Sequence, residues 1–229
     1  MERLKKYMAQ LNEEQIKTAL SAFAFYYEEL NSWNEKFNLT AITDKEEVII
    51  KHYADSLEGA LYITGKVCDV GSGAGFPGIP LAIVNPNIEL TFIESVNKKV
   101  TFLNHIISSL NLKAKAVHIR AEDAAKLKYR EYFDTVTARA LAPLATLAEY
   151  LLPFLKLGGT AVIYKGGEIE EELNGAKPAL KALGGEIKKV IKYNILDTDN
   201  KRSLIIIKKS KPTPIEYPRS GNKPRTNPL

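Results

Sequence analysis

One short run constrains this chain more than any other. Asp69-Val70-Gly71-Ser72-Gly73-Ala74-Gly75-Phe76-Pro77-Gly78 follows the apolar stretch Val67–Val70, and four of its residues are glycine. Glycines let a chain turn sharply and let a ligand approach bare backbone. The segment behind the run carries Pro77 and Pro80 near the first turn of a helix, whose opening N–H groups have no partner within the helix. Glu94 ends the next apolar stretch, 23 residues past Gly71, where a carboxylate can take the two hydroxyls of a ribose. Strand, glycine loop, helix, strand and carboxylate together predict a nucleoside cofactor at the carboxyl ends of parallel strands.

The flanking sequence fits that frame. Candidate strands are Val67–Val70, Leu90–Glu94, Lys115–Ile119, Thr135–Ala138, Ala161–Lys165, Glu186–Asn194 and Leu204–Lys208, with helices over about Val96–Asn111, Pro143–Leu155 and Glu168–Leu183. Such alternation predicts an α/β, Rossmann-like fold with helices on both faces of a mostly parallel sheet. The last two strands are joined too briefly for a helical crossover, so they are expected as an antiparallel hairpin closing one edge. Before Gly65 the texture is helical. Asn12 and Gln15 have capping-box form, and Ile16, Leu20, Phe23, Tyr27, Leu30, Trp33 and Phe37 recur at steps of three and four. Thr43 with Glu46 has the form of a second capping box, for a helix to about Leu61. The expected organisation is a helical cap over 1–64, a cofactor-binding domain over 65–210 and a tail over 211–229.

Gly73-Ala74-Gly75-Phe76-Pro77-Gly78 also satisfies the dinucleotide pattern G-x-G-x-x-G, so a nicotinamide-dependent oxidoreductase is the rival reading. Two features argue against a pyrophosphate. Asp69, just ahead of the loop, would repel phosphates but suit a cationic ligand, and S-adenosylmethionine (SAM) carries an ammonium and a sulfonium. Pro77 interrupts the smooth helix entry that the dinucleotide pattern wants. SAM is therefore the expected cofactor, with Asp69, Gly71, Gly73 and Glu94 at its site.

Charge location says more than the net +5. From Lys208 to Leu229 stand Lys208, Lys209, Lys211, Arg219, Lys223 and Arg225 against the single acid Glu216, which leaves 26 charges of each sign elsewhere. Five of the 11 prolines lie there too. Such a segment is expected to be extended rather than packed, and suits either phosphate contacts or solubility. The lone Cys68 excludes a disulfide scaffold, and three scattered histidines make a metal site unexpected. No apolar run approaches a membrane span and no signal-peptide core opens the chain, so the expected address is the cytoplasm.

The run from Asp69 to Leu81 resembles the SAM loop of the bacterial 16S ribosomal RNA guanine-N7 methyltransferases, the glucose-inhibited division protein B family. The resemblance extends through Trp33-Asn34-Glu35-Lys36-Phe37-Asn38-Leu39-Thr40, His52-Tyr53-Ala54-Asp55-Ser56-Leu57, Arg120-Ala121-Glu122, Thr137-Ala138-Arg139-Ala140 and Tyr164-Lys165-Gly166, nearly the whole chain. Tyr217-Pro218-Arg219 resembles the basic ending of its Gram-positive members. The resemblance implies a class I SAM-dependent methyltransferase with a seven-stranded sheet, acting on N7 of one guanine in the decoding region of 16S rRNA. It also implies Gly71, Phe76, Ala121, Glu122 and Arg139 as SAM-site residues.

Guanine N7 has an available lone pair and no proton to lose, so holding it in line with the methyl carbon is enough and no general base is needed. None appears in the sequence. Arg139, ending the fourth strand, is the expected catalytic side chain. Its guanidinium suits guanine O6 or a phosphate, or alternatively an ion pair with Asp69 or Asp134. Lys165, Arg202 and the tail cations Lys208, Lys209, Lys211, Arg219, Lys223 and Arg225 are the expected RNA contacts. His52 and Asp55, three apart on one helix face, suit helix packing or RNA. The expected partner is 16S rRNA or the small ribosomal subunit, met by a monomer. A non-catalytic ribosome-binding assembly factor is the other alternative.

Overall fold

A computed structural model describes residues 1–229, except for the side chain of Asp197. Its centre is a seven-stranded sheet made of β1 (Lys66–Val70), β2 (Glu89–Glu94), β3 (Ala114–His118), β4 (Phe133–Arg139), β5 (Leu155–Gly166), β6 (Gly185–Asn194) and β7 (Lys201–Lys209), in the order β3-β2-β1-β4-β5-β7-β6. The pairings from β3 to β5 are all parallel, while β7 runs antiparallel to both β5 and β6. All seven expected strands form, and the closing hairpin inserts its second strand between β5 and β6.

Both faces of the sheet are buried, with a period of two. Val67, Val162, Tyr164, Leu204 and Ile206 point into one apolar cluster, whereas Cys68, Val70, Ala161, Ile163, Ile205 and Ile207 point into the other. Helices α4 (Gly78–Val84) and α5 (Asn97–Ser109) cover the first face; α6 (Ala121–Ala124), α7 (Leu144–Leu151), α8 (Glu170–Gly175) and α9 (Lys177–Leu183) cover the second.

The N-terminal helices share the first cluster and have no separate core. In α1 (Glu13–Phe37), Phe23, Tyr26 and Leu30 are buried against the sheet side. The Asn12–Gln15 capping box is formed in both directions, each bond 2.9 Å long. Asn38 ends the helix in the left-handed conformation, at φ 50°. The second helical run differs from expectation at its start. Asp44, not Thr43, accepts the N–H of Glu47 and caps α2 (Lys45–Val48), which continues through a π turn at Ile49–Ala54 into α3 (Asp55–Leu57). Thr43 and Asp44 each precede a glutamate by three, so the sequence pattern fits both. Of the described helices, none is long and apolar enough to cross a membrane.

The tail corrects a second expectation, because it is not a loose extended segment. Arg130 donates to the carbonyls of Tyr217 (2.7 Å), Thr213 (2.7 Å) and Pro214 (3.1 Å). Arg219 grips the carboxylate of Glu149 on α7 through its backbone N–H, Nε and Nη2, and Glu149 is only 1% exposed. A final turn, α10 (Lys223–Thr226), packs on α7, where Thr146 donates to the carbonyl of Pro224 at 2.9 Å.

Candidate functional site

The glycine loop sits at the carboxyl edge of β1, where the strand order reverses between β2 and β4 and ligands bind in sheets of this kind. Gly71 has φ +68°, and a Cβ there would come within 2.5 Å of the Leu141 side chain. Both backbone conformation and space therefore demand glycine. Gly73 donates its N–H to Glu94 Oε2 at 2.9 Å, and Val96 donates to Glu94 Oε1 at 2.9 Å. Glu94 thus ties the first loop to the turn after β2, and each of its oxygens keeps a further lone pair.

Asp69 is the most unusual group of the site. It is fully buried, and Oδ2 accepts the N–H of Gly78 at 2.9 Å while Oδ1 has no hydrogen-bond partner. Burial pushes its carboxyl up to about 7, against the lowering influence of the Gly78 N–H and the Arg139 guanidinium. A buried, half-satisfied carboxylate beside a glycine loop fits a cationic ligand and opposes a pyrophosphate.

Two cavities open on either side of this edge. The first is bordered by Gly71, Ser95, Arg120, Ala121, Glu122 and Tyr150, at the ends of β1, β2 and β3. Glu122, 5% exposed, makes no hydrogen bond or ion pair among the described residues. Ala121 and Glu122 are thereby brought together with Gly71. Phe76 is not among the residues lining this cavity. Its ring instead stacks on His52, with centroids 4.3 Å apart, and lies under the Arg139 guanidinium at 5.1 Å.

The second cavity, wider at about 580 Å³, is bordered by Lys51, His52, Asp55, Arg139, Lys165 and Arg202 among others. Arg139 Nη1 donates to the carbonyl of Lys51 and to Asp55 Oδ2, both at 2.9 Å, and Nη2 lies 3.0 Å from His52 Nδ1. The ion pair therefore exists, but with Asp55; Asp134 is held instead by Lys156 and by the N–H of Lys66. Because Arg139 can only donate, His52 Nδ1 must accept, and Nε2 then faces Thr40 Oγ1 at 2.9 Å as the donor. Burial, reinforced by Arg139, lowers the imidazole to about 3. Asp55 Oδ1 in turn accepts from Tyr193 at 2.8 Å. His52 and Asp55 were visible as a polar pair on one helix face; that they meet Arg139, 84 residues from Asp55, was not.

The helical cap builds this second cavity. Tyr26 donates to the carbonyl of Ala74 and Tyr164 to that of Ser56, each at 2.6 Å. A third cavity, between α1 and the residues around Pro86 and Lys113, lies at the amino ends of β2 and β3, away from this chemistry.

The expected RNA cations separate by position. Lys165 and Arg202 border the second cavity; Lys165 is paired with Glu172, and Arg202 Nε lies 4.0 Å from Asp55. Lys208 pairs with Thr160 in the β5–β7 register, at the opposite end of the sheet, about 20 Å along the strand from Arg202 at 3.3 Å per residue. Lys211 follows it there. Lys209 must be withdrawn as an RNA contact: its side chain is buried and its ammonium donates to the carbonyls of Leu152 (2.7 Å) and Leu155 (3.3 Å). Arg219 is committed to Glu149, which holds its guanidinium above its ordinary value. Lys223 is exposed on α10, and Arg225 borders the first cavity.

Comparison with known proteins agrees with this geometry. The family model described as rRNA small subunit methyltransferase G matches residues 19–204. A protein named ribosomal RNA small subunit methyltransferase G from Lachnoclostridium phytofermentans is 48% identical over 93% of this chain and 90% of its own length. Its namesake from Staphylococcus aureus strain Newman is 42% identical over 100% of this chain and 96% of its own. Among solved structures, Pyrococcus horikoshii TYW2 in complex with MeSAdo superposes with a TM-score of 0.56 at 14% identity, over 70% of this chain and 63% of that one. The Methanococcus jannaschii fibrillarin pre-rRNA processing protein gives 0.52 at 18% identity, over 69% and 74%. At those identities the structures speak for the fold alone.

Proposed function

The chain belongs to the rRNA small subunit methyltransferase G family, SAM-dependent enzymes of 16S rRNA, and from that membership we propose that its acceptor is the ring N7 of a guanine in the decoding region. SAM supplies an electrophilic methyl group when bound. The unpartnered Asp69 oxygen and the free lone pairs of Glu94 would hold its cationic and ribose parts, with Ala121 and Glu122 at the base.

The observation that carries the acceptor assignment is the state of the second cavity's proton acceptors. His52 has both ring nitrogens engaged, Asp55 is held by Arg139 and Tyr193, and Glu172 is held by Lys165 and the N–H of Leu144. An exocyclic amine or a hydroxyl would need one of these groups to take its proton. N7 has no proton to give up, so a rigid donor array that orients the base is sufficient. Arg139, above the Phe76 ring, is the group we assign to that orientation, towards guanine O6 or a neighbouring phosphate. Lys165 and Arg202 are the cations we assign to the RNA backbone. The nicotinamide and non-catalytic alternatives are not favoured, since the family is enzymatic and Asp69 opposes a pyrophosphate. A cytoplasmic monomer acting on rRNA or on the small subunit completes the reading.

The test is transfer of labelled methyl from SAM to small subunits that lack the modification, followed by mass spectrometry of the nucleosides. Label in 7-methylguanosine is the expected result. Label in another nucleoside would overturn the N7 assignment while leaving the enzyme class intact.

A further inference from the structure

The tail reaches the cofactor edge of the sheet. It leaves β7 at the amino ends of the parallel strands, is held by Arg130, and climbs along α7 to the Arg219–Glu149 pair. Thr146, three residues before Glu149 on the same helix, then holds the carbonyl of the buried Pro224. These anchors bring Asn222 and Arg225 to the border of the first cavity, opposite Gly71, Ser95, Ala121 and Glu122.

Arg225 is a cation without an assignment elsewhere in the fold. Its guanidinium makes no hydrogen bond or ion pair among the described residues, in contrast to Arg219 six residues earlier. It is nevertheless close enough to oppose the rise that burial, Glu122 and Glu149 impose on the Tyr150 hydroxyl. The cavity thus carries an unpartnered buried carboxylate from α6, a phenol from α7 and two guanidiniums, that of Arg120 just ahead of α6 and that of Arg225 on α10.

We propose that Asn222 and Arg225 are cofactor-site residues: the C-terminal segment forms one wall of the nucleoside pocket and holds the adenosine end of the ligand. This rests on the SAM reading given above. Adenine offers ring-nitrogen acceptors and an exocyclic amine donor along its edge, and an extended π face. A guanidinium can meet the acceptors or the face, an amide such as Asn222 can meet both kinds of edge atom, and Glu122 can accept the amine. The tail's arginines then serve two ends, with Arg219 fixing the segment and Arg225 using the position.

The assignment is tested by equilibrium binding of SAM and of 5′-methylthioadenosine to the full chain and to Arg225→Ala, Asn222→Ala and Lys223→Ala. Methylthioadenosine retains the adenosine but lacks the ammonium and the sulfonium charge. Arg225→Ala and Asn222→Ala should each raise the dissociation constant by about 3- to 10-fold, the range of one hydrogen bond or cation–π contact, and equally for both ligands. Lys223→Ala, on the same turn but outside the cavity, should change neither. Unaltered melting of the ligand-free variants is the check that the tail stays docked. If SAM binds the unaltered chain and the two variants bind it equally well, the wall assignment is wrong. A loss for SAM alone, with methylthioadenosine unaffected, would overturn the adenosine assignment. If SAM does not bind the unaltered chain at all, the cofactor reading fails, and this inference with it.

Discussion

Two ionisable residues within the site are held far from their ordinary protonation, in opposite senses. Asp69 is raised to about 7, so the ligand-free fold binds more protons than the unfolded chain between about pH 4 and 7, and loses stability as pH rises through that window. His52 is lowered to about 3, so its contribution is lost as pH falls from about 6.5 towards 3. A cationic ligand favours the Asp69 carboxylate, so SAM must displace a proton below pH 7. Affinity for SAM should therefore rise as pH climbs from about 5.5 to 7.5, while the ligand's amino group stays largely charged. Calorimetry in buffers of different ionisation enthalpy should show proton release below pH 7, and Asp69→Asn should abolish both effects. Arg139 gives the second prediction at this scale. Arg139→Ala removes the donor to His52 and the Lys51 carbonyl and leaves the buried Asp55 with the Tyr193 hydroxyl and the more distant Arg202 guanidinium. Methyl transfer should fall more than tenfold, and Arg139→Lys should not rescue it, because a lysine cannot reproduce the planar fork. Full activity in either variant, measured at saturating SAM, would take the residue out of the site.

Among the elements, the tail is the one whose structure is most open to test. Replacing Arg219 by Met leaves the buried Glu149 with only the backbone N–H of position 219, which costs at most on the order of 3–5 kcal/mol, the figure for a fully buried broken pair. Arg219→Met should lower the urea midpoint accordingly, and adding Glu149→Leu should restore most of the loss; a change under about 0.5 kcal/mol would mean an undocked tail. This contact also marks where the sequence stops being legible. The inner strands could be read because both their faces are buried, so Leu204–Ile207 appears as an unbroken apolar run, and Val67–Val70 as one interrupted only by Asp69. The hairpin followed from a connection too short to cross over, and the cofactor loop from glycines paired with a carboxylate at a fixed offset. Those signals are local. Glu149 and Arg219 are 70 residues apart, and nothing periodic links them; a proline-rich basic stretch reads as solvated until a buried acid is known to await it. Asp55 escaped as the partner of Arg139 for the same reason, since the helical run that carries it is placed by burial of the aromatic stripe of α1. Proximity to the nearest strand-end acids, Asp69 and Asp134, was the wrong guide.

For the molecule as a whole, charge divides along the strand direction. The net excess of +5 lies in the last 22 residues of the sequence, yet folding scatters it: Lys209 goes inside, Arg219 goes to Glu149, and Lys208 and Lys211 go to the amino ends of the strands. What faces the acceptor cavity is Lys51, Lys165 and Arg202, with Lys51 already paired to Glu47 and Lys165 to Glu172. An RNA that presents its base beside Arg139 must therefore meet Arg202, while Lys208 stands about 20 Å away along β7 at 3.3 Å per residue. Each phosphate released from contact changes the slope of log affinity against log salt by about 0.7–0.9. Arg202→Gln should thus flatten the salt dependence of binding to the small-subunit rRNA by about that amount, with a larger loss of affinity at low salt than at high. Lys208→Gln and Lys211→Gln should leave the slope unchanged, although sequence composition alone would give all three equal weight. Filter binding across about tenfold in salt separates the two cases, because counterion release scales with the number of phosphates contacted and not with net charge. An equal flattening from Lys208→Gln would require the RNA to wrap around the sheet to its amino edge, and the footprint would have to be redrawn on both ends of the strands.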